Sequence, residues 1–267
     1  MHLILPNLTA SPGPITTFLN TLSATGVHLQ LGTSPSLLPP QTLESIVEDL
    51  TTPINRRNAP LSNPVNLDTT ILLALISDIS NHLHTPRHPR FHPAILAQLD
   101  NEVAAPMLQT HLWPVLAGRK LVCTPSARAR FDEIVDIVGS STEKTRARIV
   151  FGEVNTPFSE LCEHALPEAG LILPIDTLDD EYEDCSEKPE LARRVAGKIS
   201  AVNRAVFLTA WEKGWTTVTS NRAVQKYIEN AVGEEERGPD MYVVGAVRSL
   251  AGRERGVEVG SMVERKE

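Results

Sequence analysis

The sequence predicts an α/β protein, a three-layer α/β/α sandwich built on a parallel sheet. Three observations carry that expectation. Short apolar runs alternate along the chain with stretches of helical periodicity, the order produced when parallel strands are joined by crossover helices. Acids or amides stand where several of those runs end, the position from which a parallel sheet presents its polar groups. Hydrophobic residues make up 41% of the 267 residues, enough for a substantial core. Aromatic residues are only 4%, so that core must rest on Leu, Val, Ile and Ala.

The first 52 residues read as an N-terminal appendage, or as the remnant of a larger N-terminal domain. Apolar runs at Leu3–Leu5 and Val27–Leu31 suggest strands, and Ile15–Leu22 and Gln41–Leu50 suggest helices. Pro12, Pro14, Pro35, Pro39 and Pro40 punctuate them, because proline fixes φ and removes a donor. Residues 53–64, rich in proline and asparagine, are the expected linker. A main domain follows over 65–250, and the charged residues 251–267 read as a flexible tail.

Within the main domain, Val65-Asn66-Leu67-Asp68 is a short strand ending on an acid. Thr69 or Thr70 then suits the cap of an almost wholly apolar, buried helix. Helices are expected at Pro93–Leu108 and Gln109–Leu116, and a strand at Lys120–Cys123. Thr124-Pro125 opens a helix to about Val138, since proline fits the first turn, whose N–H has no partner. Ser140 and Glu143 have capping-box spacing and start another helix, to about Val150.

Leu171–Asp176 reads as a further strand. Glu190–Lys213 then reads as the longest helix, its apolar stripe running through Leu191, Val195, Ile199, Val202 and Val206. Gly214 is placed to end it in the left-handed conformation. Trp215–Thr219 reads as a strand, Arg222–Val232 as a helix and Tyr242–Val247 as a last strand.

Several function classes drop out. The longest apolar run, Ile71–Ile76, is far too short to cross a bilayer, so no membrane role is expected. Cys123, Cys162 and Cys185 are odd in number and lack CxxC spacing, which suits reduced thiols and a cytoplasmic or nuclear location. A net charge of −8 argues against a generic nucleic-acid coat. That average hides an asymmetry. Glu153–Glu187 holds 11 acids and no Lys or Arg, whereas Glu190–Lys226 holds seven basic residues against two acids. The basic segment suits a polyanion at low salt, and equally a solvated helix face.

Candidate chemistry concentrates on Asp68, Asp176 and Asn221, each at an expected strand end. Carboxylates gathered there would bind Mg²⁺ or Mn²⁺ and activate water toward a phosphodiester. Alternatively, Asp68 simply caps its helix. His82, His84, His88 and His92 have zinc-like spacings, but Pro86, Pro89 and Pro93 interrupt any helix that would align them. The acidic run near Asp179 lacks the glycine and spacing of a calcium loop, and Gly197-Lys198 lacks the upstream glycine of a phosphate loop.

Three segments resemble a known family: Val65–Ile79 (VNLDTTILLALISDI), Leu121–Val150 and Gly214–Ala231, with NLDTT and TVTSN the most specific parts. They are similar to the PIN-like family called domain of unknown function 1308 (DUF1308), over roughly residues 60–232. The resemblance implies a parallel PIN-like sheet and, in active PIN domains, RNA cleavage with Mg²⁺ or Mn²⁺ held by three or four acids. Position by position, the first acid matches Asp68. The second falls near Arg130, with Asp132 and Glu133 just beyond; the third falls on Asn203 and the fourth on Thr219-Ser220-Asn221.

Two functions follow from that departure. One is a degenerate nuclease fold that binds RNA or a protein partner, with Arg130, Asn203, Ser220 and Asn221 contacting nucleic acid. The other is a Mg- or Mn-dependent endoribonuclease with Asp68 catalytic and Asp68, Glu133 and Asp176, or an acid of 179–187, holding metal. The first is favoured, because removing ligand charge weakens a hard-metal site more than geometry restores.

Overall fold

The computed structural model describes residues 2–5, 17, 19, 21, 28–31, 61–82, 87, 91–179, 182, 189–233 and 237–251. The chain divides into two units, Met1–Arg57 and Asn58–Glu267. In the first, β1 (His2–Leu5) and β2 (His28–Leu31) pair in parallel, with His2 opposite His28. Thr17, Leu19 and Thr21, in the connection, are helical, as parallel pairing requires a crossover. The helix expected at 41–50, most of the linker and all but the first residue of the tail lie outside the described residues.

The second unit is an α/β sandwich. Its sheet contains β3 (Val65–Leu67), β4 (Leu121–Cys123), β5 (Asp176–Thr177), β6 (Thr217–Thr219) and β7 (Met241–Val243). All pairings are parallel, in the order β5-β4-β3-β6-β7. Every residue of β3, β4 and β6 is buried, so helices cover both faces of the central strands. The core is aliphatic, with Leu67, Ile71, Leu75 and Val218 fully buried beside Phe131 and Phe207.

Local chemistry explains most helix ends. α1 (Thr69–Ile76) stops at Ser77, whose hydroxyl accepts from Ile79 N–H to start α2 (Asp78–Asn81). His92 caps α3 (Pro93–Ala104) by accepting from Ala94 N–H, so this histidine serves structure. A π-helical turn over Leu108–Leu112 leads into α4 (Trp113–Leu116). α5 (Pro125–Val138) starts on the Thr124 hydroxyl as expected, and α6 (Ser141–Val150) starts on a complete capping box of Ser140 and Glu143. Each such cap contributes about 1 kcal/mol.

Two expectations need correction. Leu171–Asp176 is not a strand; β5 only begins at Asp176. Pro174 has no N–H to donate, and Ile175 donates its own to Val150 rather than to a neighbouring strand. Glu190–Lys213 is also not one helix. It breaks into α7 (Glu190–Ala196) and α8 (Ala201–Glu212), with Gly197 ending the first and Ser200 capping the second. Gly214, at φ 67°, follows α8 as the glycine conformation requires. α9 (Arg222–Ala231) completes the unit, packed on α7 and β7.

Candidate functional site at the sheet switch point

From β3 the chain adds β4 and β5 on one side, then returns to add β6 and β7 on the other. The order therefore reverses between β3 and β6. In parallel sheets a crevice opens at such a reversal, beyond the carboxyl ends of the two strands. Asp68 follows β3 there, and Ser220-Asn221 follow β6.

Asp68 continues the strand by donating its N–H to Val218 O at 3.0 Å, and stands at the N-cap of α1. Its carboxylate makes no capping hydrogen bond. Instead Oδ2 accepts from the hydroxyls of Thr219 at 2.6 Å and Thr70 at 2.8 Å. Thr219 Oγ1 accepts in turn from Asn221 N–H at 2.9 Å, and Thr70 Oγ1 from Ser220 N–H at 3.0 Å. Each hydroxyl receives a backbone proton and so aims its own at the carboxylate. The motifs NLDTT and TVTSN are thus clasped across β3 and β6.

The floor is polar as well. Asn66, two residues back and on the same strand face, donates Nδ2 to Thr217 Oγ1 and to Val206 O, each at 3.1 Å. This bond seats α8 over β3. Asn203 lies one helical turn before Val206 on the same side of α8, toward the carboxyl edge where Asp68 stands. The Thr69 hydroxyl donates to Ala127 O at 3.3 Å and brings the first turn of α5 alongside. Ser220 Oγ is buried and has no hydrogen-bond partner among the described residues.

Asp68 is only 3% exposed, and among the described residues no basic side chain pairs with it. Burial pushes its carboxyl above the ordinary range; the Thr219 and Thr70 hydroxyls and the nearby amides of Thr69 and Thr70 offset that only in part. Elsewhere, burial raises the Cys123 thiol to about 11, which leaves no thiolate nucleophile there at neutral pH.

The structure thus joins Asp68, Ser220 and Asn221 and sets Asn203 on the flanking helix. It does not bring the other expected residues to Asp68. Glu133 is six residues, about 9 Å of helix rise, beyond Ala127 and pairs with Arg130 on the exposed face of α5. Asp176 pairs with Lys120 at 2.9 Å. It is in register with Val122, itself in register with Asn66, so it lies two strands, about 10 Å, from β3.

Among the described residues, no group of three or more His, Cys, Asp or Glu side chains could hold a metal ion. The set Asp68, Glu133 and Asp176 therefore does not fit a hard divalent cation; of the alternative acids expected at 179–187, all but Asp179 lie outside the described residues. One carboxylate with hydroxyls and amides supplies too little charge.

Sequence reasoning missed Thr70 and Thr219 as partners of the acid, reading them as cap and strand. Their signal was present, a hydroxyl two residues after Asp68 and another just before Ser220-Asn221. A buried cluster on the far end of α1 gave no motif at all. There Asp78 accepts from Arg146 Nη1 at 2.7 Å, Thr142 at 2.6 Å and Ser140 at 2.7 Å.

Residues 65–169 match the family model described as Protein of unknown function (DUF1308). The chain carries a DUF1308 region. It spans β3 through the segment after α6, and so includes Asp68, Thr70 and the Asp78–Arg146 cluster. Thr219, Ser220 and Asn221 lie beyond it. No curated protein and no solved structure matches the chain. Among the described residues, no helix is long and apolar enough to cross a membrane.

Proposed function

We propose that the DUF1308 region and the β6–β7 segment together form a PIN-like module that binds RNA at the switch point without cleaving it. The observation that carries this reading is the environment of Asp68. Its carboxylate is held by two threonine hydroxyls, and Arg130, Asn203 and Asn221 stand at or near the places where a PIN nuclease has further acids. The parallel order and the crevice between β3 and β6 support the PIN-like comparison. Mg²⁺ or Mn²⁺ would activate water in an active relative, but the described residues around Asp68 do not make that ion's site.

Charge supports RNA, a polyanion, over a partner without phosphate. α8 runs back toward the start of β6, so its first turn lies at the carboxyl edge. Lys198 precedes that turn and Arg204 lies within it. Arg222 opens α9 directly after Asn221. Cations there favour phosphate near the crevice and leave Asn203, Ser220 and Asn221 to hydrogen-bond sugar or base.

The test is retention of a mixed RNA pool at low salt, followed by electrophoresis of the recovered RNA with Mn²⁺ present. The reading predicts intact, retained RNA, released as salt rises. RNA cut by the wild type but not by Asp68→Asn would establish the nuclease instead. No retention would leave a protein-binding scaffold.

A further inference from the structure

We propose that the switch-point crevice tells RNA from DNA by a ribose 2′-hydroxyl, which donates its proton to Asp68; this rests on the RNA reading above and names the group recognised there. A carboxylate accepts hydrogen bonds and repels phosphate, so in an RNA site it must face a donor. Ribose carries one on every nucleotide, the 2′-hydroxyl, and DNA lacks it.

The clasp leaves Asp68 half used. Oδ2 takes the hydroxyls of Thr219 and Thr70, at 2.6 and 2.8 Å. Among the described residues, no side chain donates to Oδ1. Burial still holds the carboxyl above its ordinary range, so the donors in place fall short of what a buried charge needs. A ligand hydroxyl on Oδ1 supplies one more. Size selects that donor as well. Asp68 is 3% exposed, an opening that a hydroxyl can enter and a base cannot. Its neighbours Thr69, Thr70, Thr219, Ser220 and Asn221 include no aromatic ring on which a base would stack.

The oxygen of the ribose hydroxyl has a partner too. Ser220 belongs to the same clasp, because its N–H binds Thr70 Oγ1 at 3.0 Å. Its own hydroxyl is buried, and Oγ has no hydrogen-bond partner among the described residues. A phosphate oxygen would suit Ser220 but repel Asp68. A base amino group would suit Asp68 but accept nothing from Ser220. A 2′-hydroxyl is donor and acceptor at once and serves both.

Fluorescence anisotropy of the full chain tests the assignment, with a labelled random-sequence single-stranded RNA pool and a 2′-fluoro pool of the same composition. Fluorine removes the donor and keeps the RNA-like sugar conformation. The wild type should bind the RNA pool roughly 10- to 150-fold more tightly than the fluoro pool, the range of one hydrogen bond to a charged group. In Asp68→Asn the amide oxygen keeps the two threonines and the NH₂ group takes the place of Oδ1, so the preference should disappear. Ser220→Ala should narrow it by roughly 2- to 10-fold, the range of a neutral hydrogen bond. Equal wild-type affinity for the two pools would overturn the inference and leave RNA binding at the switch point standing. A preference that Asp68→Asn keeps would overturn the assignment to Asp68. A wild-type chain that binds no RNA would overturn both readings.

Discussion

Asp68 and Asp78 flank the same helix, one before α1 and one just after it, and both are almost fully buried, 3% and 1% exposed. Their carboxyls nevertheless shift in opposite directions. Burial pushes both up. At Asp78 the hydroxyls of Thr142 and Ser140 and the Arg146 guanidinium outweigh burial and hold the carboxyl below its ordinary range. At Asp68 there are hydroxyls and amides but, among the described residues, no cation, and burial wins. Hydrogen bonds alone do not compensate a buried charge; a paired counter-ion with satisfied donors does.

The surroundings say what each acid is for. Arg146 is buried and also donates to Ile76 O and Leu161 O, at 3.0 and 2.7 Å. Glu143 accepts from Asp78 N–H and Ala251 N–H, so the cluster ties the α1–α2 break, α6 and the end of the second unit's described chain together. Asp78 is a charge built into scaffold. Asp68 has no such counter-ion among the described residues, and under the proposed RNA-binding reading it is kept for what it contacts.

The contrast can be broken at its strongest point first. Arg146→Met should destabilise the protein by about 3–5 kcal/mol, because Asp78 is left buried and uncompensated. Urea unfolding at neutral pH measures it, and a loss below about 1 kcal/mol would show that Asp78 does not depend on its partner.

Asp78→Asn should cost about 2–3 kcal/mol at neutral pH, the size of hydrogen bonds to a charged group. A lowered native pKa gives stability that is present above the ordinary carboxylate range and lost as pH falls through the native value. The gap between this variant and wild type should therefore narrow in acid, as wild type loses the same charge.

Asp68→Asn has the smallest effect and the opposite sign. The amide oxygen still accepts from Thr219 and Thr70, while the buried charge disappears, so stability at neutral pH should rise by about 1 kcal/mol. A raised native pKa means the wild-type penalty grows as pH rises from the ordinary carboxylate range toward the native value. The gain should vanish in acid, where the carboxyl is protonated in both states. Destabilisation at neutral pH would place Asp68 with Asp78, as scaffold.

How much of this was legible in the sequence depends on whether the signal was local. Thr124-Pro125, the Ser140–Glu143 box and Gly214 are local chemistry, and each stands where spacing put it. The parallel sheet followed from alternation, and Asp68 and Asn221 from strand ends. The break at Gly197–Ser200 was also local, but the stripe through Leu191, Val195 and Ile199 masked it. Periodicity survived the interruption because both helices pack on the same core.

Leu171–Asp176 failed because apolar content does not reveal where backbone N–H groups go. Tertiary pairings left no pattern. Nothing in spacing joins Asp78 to Arg146, 68 residues away, or Asp68 to Thr219, 151 residues away. The described histidines show the same limit: His82 contacts Glu163 at 2.9 Å, a partner that no zinc-like spacing names.

The central claim is that Asp68 is a buried acid of a binding site and not the anchor of a divalent metal. Thermal unfolding of wild type and Asp68→Asn with and without Mn²⁺ tests it most directly. The account predicts that any Mn²⁺ effect on Tm is the same in both proteins. A Mn²⁺-induced rise in wild type that Asp68→Asn abolishes would contradict it.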